Sequence, residues 1–290
     1  MRIRIVPAWL ARAVLGFLGA ALLGLAPVPA LADFTFTTID VPGATATFAS
    51  RINAVGQIVG AYADAGGVSH GFLLQKGVFT VIDVPGAIGS GAFGINAAGQ
   101  IVGTYTDAGG ISHGFLLDKG AFTTIDPPGS TFTDAFGINA RGQIVGRYTY
   151  GGGAVHGFLL DKGTYTDVDP PGAGFSQAID VNAAGQIVGG FEVPGEHHGF
   201  VFDKGVFTVV DFPGGLATDA LGINAAGHIV GRYLDASSVF HGFLMANGAF
   251  TTIDPPGSTF TEAIGINGAG QIVGDYFDAG GTQHGFLATP

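Results

Sequence analysis

A period of 43 residues runs through the chain from about residue 34 to its end, and it restricts the fold more than any other feature. The Asn of an I-N-x-x-G box stands at 53, 96, 139, 182, 224 and 267, with Val181 replacing Ile in the fourth copy. Successive copies are therefore 43, 43, 43, 42 and 43 residues apart. The His of H-G-F (70, 113, 156, 198, 241, 284) and the Asp of D-x-P-G (40, 83, 126, 169, 211, 254) keep the same interval. So strict a repeat means stacked copies of one supersecondary unit, none of which can bury its apolar faces alone.

The copy over residues 92–126 serves as the template. Ala92–Asn96 alternates and ends in Asn-Ala-Ala-Gly, where Asn opens a turn and Gly99 supplies the left-handed residue that lets the chain pair back. A second strand follows over 100–105, β-branched at Ile101 and Val102 and ending in an aromatic. The loop Asp107–Gly110 leads to a third strand (111–117), and Asp118-Lys119-Gly120 turns into a fourth (121–126). Pro127 stops that strand, because proline cannot donate to a ladder. No helical period appears after residue 32. Four short strands per repeat is the arithmetic of a propeller blade.

The ends of the repeat array sharpen this expectation. The last copy runs through Gln283-His284-Gly-Phe-Leu and lacks a fourth strand, whereas Phe34–Asp40 is a fourth strand with no first three before it. The sequence thus predicts an all-β, six-bladed β-propeller of four strands per ~43-residue blade, a single domain over 33–290, with the N-terminal strand completing the last blade. Two tandem β-trefoils would also use three four-strand repeats each, but the period does not break between copies three and four. An open solenoid would need polar caps that are not evident.

Residues 1–32 read as a signal peptide. Arg2, Arg4 and Arg12 precede the uncharged run Ala13–Leu25, and Ala30-Leu31-Ala32 supplies a small-residue cleavage site. The expected location is secreted or periplasmic, with no membrane association after cleavage. The chain has no cysteine, so burial and sheet pairing must hold the fold. Three of its 11 basic residues lie in the signal, which leaves 8 against 22 acids and a formal charge of −14. That balance argues against nucleic acid as a partner, since phosphate neutralisation needs clustered Lys and Arg.

The box I-N-x-x-G-Q-I-V-G, followed by H-G-F-L, a turn and D-x-P-G, resembles the bacterial extracellular HAF-repeat family, named for a His-Ala-Phe tripeptide. The resemblance covers the repeat array six times. Gly stands here in place of the middle Ala, and Phe-Thr-Thr-Ile-Asp where that family often shows a Leu-Gly run. The resemblance implies a secreted bacterial protein and brings no catalytic residue with it.

Residues shared by all copies are explained first by what every repeat needs. The six H-G-F histidines sit one per blade and cannot converge on a metal; His197 and His228 stand outside the pattern. The D-A-G-G loops lack the alternating oxygen ligands of a calcium site. Positions that break the repeat carry more information. The residue before I/V-N is Gly in four copies but Arg51 in the first and Asp180 in the fourth, which lie opposite each other in a six-bladed ring. Arg51 and Asp180 are therefore expected to project into the central channel. Three residues earlier the copies read Phe48, Gly91, Asp134, Gln177, Asp219 and Glu262, so Asp134, Asp219 and Glu262 are expected as an acidic arc at one mouth.

These five residues are the candidate ligand-binding set of a non-catalytic binding or scaffold propeller, whose ligand is a glycan, peptide or protein held on a propeller face. The short, nearly identical loops favour this reading, because enzymes built on repeats break symmetry with long loops. The alternative is a hydrolase or lyase that uses the acidic arc, with or without a divalent cation. No catalytic residue, resident metal or cofactor is assigned from the sequence.

Overall fold

The computed structural model describes residues 34–151 and 153–290; the expected signal peptide lies outside the described residues. Among these residues are 24 strands, numbered β1–β24 in chain order. Each repeat forms an antiparallel meander of four. In the first, β2 (Ala46–Ile52), β3 (Ile58–Ala63), β4 (Ser69–Gln75) and β5 (Val78–Ile82) pair in that order. The protein is an all-β propeller.

Six blades were the expectation; the structure shows four separate four-stranded blades. The third and fourth repeats share one eight-stranded sheet, joined by a single parallel bridge between Val155 on β12 (Val155–Asp161) and Phe175 on β14 (Phe175–Val181). The fusion is one residue wide. Each meander otherwise keeps its own ladder.

The array closes on itself. β1 (Thr35–Ile39) pairs antiparallel with β24 (Gln283–Thr289), from Thr35 opposite Thr289 to Ile39 opposite Gly285. This sheet runs β1-β24-β23-β22, so the N-terminal strand supplies the fourth strand of the last repeat. No gap divides the array into two lobes, which excludes tandem trefoils.

Six apolar clusters fill the spaces between neighbouring meanders. Each contains the fully buried Phe of one H-G-F triplet and the second-strand Val of the preceding repeat. Val59 joins the cluster of repeat two, and Val273 of repeat six joins that of repeat one. Burying a Phe or Val side chain stabilises by roughly 1.5–3 kcal/mol, so the closing interface is held by the same force as the others.

Two polar systems repeat around the ring. Each box Asn accepts two turn N–H groups on Oδ1 and sends Nδ2 to the main-chain oxygen of the next box Asn. Asn53 donates to Asn96 (3.2 Å), Asn96 to Asn139 (3.1 Å), and so on until Asn267 returns to Asn53 (3.4 Å). Farther out, each H-G-F histidine donates through Nδ1 to the Asp of D-x-P-G, at 2.7 Å for His113–Asp126 and 2.8 Å for His70–Asp83. The last of these, His284, takes Asp40 from the other end of the array at 3.0 Å.

Candidate functional site

The innermost strand of every repeat carries a β-bulge at the same place, between Ala49 and Arg51 in β2 and between Ala263 and Gly265 in β22 (Phe260–Ile266). A bulge leaves one residue unpaired and re-aims the side chains beside it. The skipped residues are Ser50, Phe93, Phe136, Ile179, Leu221 and Ile264, and all six line one cavity of about 270 Å³. The cup is therefore made by the bulges, one wall residue from each repeat.

Arg51 forms its floor. Nη1 donates to the carbonyls of Ser50 (2.9 Å) and Ile264 (2.7 Å), and Nη2 to those of Ile179 (2.9 Å) and Leu221 (2.8 Å). One guanidinium thus ties together repeats one, four, five and six. Asp180 lies across from it, with Oδ1 3.5 Å from Arg51 Nε. Its oxygens accept N–H groups of Val181 (2.9 Å) and Ile223 (3.0 Å). The structure brings this pair together in the channel, where both are buried and largely committed to backbone partners. At the equivalent position of repeat five a Cβ on Gly222 would meet the Ile264 carbonyl at 2.4 Å, so glycine is required where the strands crowd.

The three acids do not form an open arc. Asp134 accepts from Arg147 Nε (2.8 Å) and from the Thr104 hydroxyl (3.0 Å). Asp219 is only 2% exposed and accepts from Arg232 Nε (2.8 Å) and His197 Nε2 (2.7 Å). Glu262 pairs with Arg232 Nη1 and, unlike the other two, lines the cup. Burial pushes the Asp219 carboxyl up, but the His197 hydrogen bond and the Arg232 charge outweigh it and hold it below its ordinary value. His197 is raised, first by its bond to Asp219, against the desolvation that would lower it. Burial dominates at Glu262 and raises it.

Arg147, Arg232 and Asp275 were missed by the sequence reading, as was His197 as an acid partner. The three occupy the second-strand position that reads Ala61, Thr104, Arg147, Gly190, Arg232 and Asp275 around the ring. It breaks the repeat as plainly as the positions that were singled out. Gly190 leaves the room that His197 fills, for a Cβ there would lie 3.3 Å from His197 Nε2 and 2.3 Å from Asp219 Oδ1.

Around the cup, Phe48, Phe93 and Phe136 from repeats one to three make an aromatic side. Phe93 and Phe136 meet edge to face at 6.0 Å, and the Arg147 guanidinium sits 5.4 Å from the Phe136 ring centre. Repeats three to six supply the polar side, with Arg147, Gln177, Arg232, Glu262 and Asp275. Such a cavity offers stacking surface on one side and charged hydrogen-bonding groups on the other, the usual composition of a small-molecule site.

No family model matches the chain, and no curated protein sequence does. Among solved structures it is similar to TolB from Acinetobacter baumannii, with a TM-score of 0.59 at 11% identity over 81% of this chain and 64% of that one. A fucose-specific lectin from Aleuria aurantia aligns with a TM-score of 0.54 at 14% identity, covering 84% and 91%. Trypanosoma rangeli sialidase gives 0.51 at 8% identity, covering 87% and 59%. At these identities the likeness is one of fold, the propeller.

Proposed function

We propose that this chain is an exported, non-catalytic binding propeller that receives a ligand group in the axial cup. The two joined meanders count singly in this reading, which makes six blades, and the segment before residue 33 directs export, as in the HAF-repeat proteins the sequence resembles. One observation carries the proposal: the repeats share the Asn box, H-G-F and D-x-P-G, while residues that differ among them, Phe48, Phe93, Arg147, Arg232, Glu262 and Asp275, converge on one floored cavity. Identical repeats would give a symmetric axis with no reason to place three Phe rings opposite two arginines and two carboxyls. The fucose-specific lectin supports the reading as a propeller named for binding a sugar.

The test is a screen of glycans, peptides and small metabolites by thermal shift, followed by Phe93→Ala and Phe136→Ala variants. A ligand of the cup raises the melting temperature of the parent, and each Phe variant weakens it about tenfold or more, the loss of a stacking contact with its apolar area. Ligands that bind both variants as tightly as the parent would move the site elsewhere. Turnover of any bound glycan would replace this reading by the hydrolase or lyase alternative.

A further inference from the structure

The polar residues in and beside the cup follow a rule of position that fails at one place. A second-strand residue meets the inner-strand residue thirty places later, in the next repeat. The Thr104 hydroxyl donates to Asp134 (3.0 Å), Arg147 Nη1 to Gln177 (3.4 Å), and Arg232 Nη1 to Glu262. The same step from Asp275, taken across the closing interface where β2 packs against β23 (Ile272–Phe277), arrives at Phe48. An acid is thus set against an aromatic ring, and the ring has no hydrogen to donate.

Asp275 shows the result. It is 1% exposed, it lines the cup, and among the described residues its Oδ1 has no hydrogen-bond partner. Its Oδ2 accepts only a neutral amide, Gln283 Nε2 at 2.6 Å. The other acids nearby have cations: Arg232 serves Asp219 and Glu262, and His197 also serves Asp219. A buried carboxyl left without a donor is costly and invites one from outside. A carboxyl beside an aromatic face is the pairing that selects a compact organic cation, which takes the carboxylate as counter-ion and the ring's negative face as a second contact.

We propose that the axial cup takes a small organic cation, its primary ammonium group seated between the Asp275 carboxyl and the Phe48 ring. This rests on reading the cup as a binding site and names the chemistry of what it holds. The groups facing Asp275 are Glu262 on β22, Arg232 on β19 (Ile229–Leu234), Gln283 on β24 and Phe48 on β2. Burial, then the charge of Glu262, pushes Asp275 up to about 8, so in the empty cup at neutral pH it keeps its proton. The entering ammonium stays protonated, Asp275 ionises against it, and one proton leaves to solvent for each ligand bound.

The test is calorimetric titration of the purified protein with n-butylamine and with glucosamine at millimolar concentration, each in two buffers of different ionisation enthalpy. n-Butanol and glucose are the uncharged counterparts. Binding of an amine near pH 7 with release of about one proton, no binding of its counterpart, and at least a tenfold loss in Asp275→Asn are the expected results. Preference for glucosamine identifies an amino sugar as the source of the ammonium, and preference for n-butylamine a lysine-like chain. Equal binding of amine and counterpart, or an Asp275→Asn variant that binds the amine as the parent does, overturns the ammonium assignment. If a neutral ligand still depends on Phe93 and Phe136, the cup survives that result. No amine binding at all overturns the inference, and no ligand sensitive to the Phe variants overturns the cup.

Discussion

The band of boxes and histidines and the axis of the ring are built from the same six repeats, yet they obey opposite rules. In that band every Asn and every H-G-F His finds the same partner six times, with His–Asp distances between 2.7 and 3.0 Å. At the axis the inner position reads Phe, Gly, Asp, Gln, Asp, Glu and its cross-strand neighbour Ala, Thr, Arg, Gly, Arg, Asp. Nothing in a ring closure demands such variety. Repetition marks the groups that hold each meander to the next; several of the residues that depart from it line the axial cup. Arg51 belongs to both, since its place breaks the repeat while its hydrogen bonds go to the backbone of four repeats.

The largest test of this division is deletion of residues 34–40. It removes the strand paired to β24 and also the partner of His284, so the cooperative urea transition is expected to vanish; retention of a full transition would show that closure is dispensable. Next comes Arg51→Ala, which removes a donor from each of four carbonyls and the counter-charge from Asp180. A loss of about 3–5 kcal/mol in urea denaturation is expected, the range for breaking a buried charged pair; a loss near zero would reduce Arg51 to a passive plug.

A third test concerns sign. Asp275 keeps its proton in the folded protein up to about pH 8, whereas the unfolded chain gives it up above about pH 4. Its contribution to stability is therefore complete below pH 4 and is lost as pH rises toward 8, by about 1.4 kcal/mol for each pH unit. Asp275→Asn is expected to unfold at higher temperature than the parent at pH 8 and at a similar temperature at pH 4. The opposite order would mean that Asp275 is ionised and paired in the folded state. The smallest effects belong to the outer band. His113→Phe keeps the stacking on Tyr105 and loses two partly exposed pairs, with Asp126 and Asp107, for which a cost below about 1 kcal/mol is expected. A much larger cost would place the histidines among the groups on which the fold depends.

The band was legible because its causes are local. The Asn box, with Gly99 at φ 80°, specifies a turn from four residues, and the unmatched strands at the two ends specify how the ring closes. Arg51 and Asp180 were legible together because they stand three repeats apart. Arg147 and Arg232 stand directly opposite Asp134 and Asp219 in the same hairpins, so strand register alone could have paired them. The contacts of Arg232 with Glu262 and of His197 with Asp219 were not legible, since they depend on the lateral offset of one meander against its neighbour. That offset is a product of packing and has no trace in strand alternation. The cup walls were hidden for a related reason. An alternating strand would send residues 50 and 51 to opposite faces, and only the bulge makes Ser50 and Arg51 neighbours on one cavity.

The pairing of Thr35 with Thr289 also sets a clock on biosynthesis. A ribosome adding about 5–20 residues per second needs on the order of ten to fifty seconds to pass from one of these strands to the other. Through that interval the early strand has no mate, and the first meander presents a bare flank that any β-edge in its surroundings can capture. Maturation of this polypeptide is accordingly all or nothing at its last few residues, and a product truncated before residue 283 should be found with proteases or aggregates and not among shorter, stable rings.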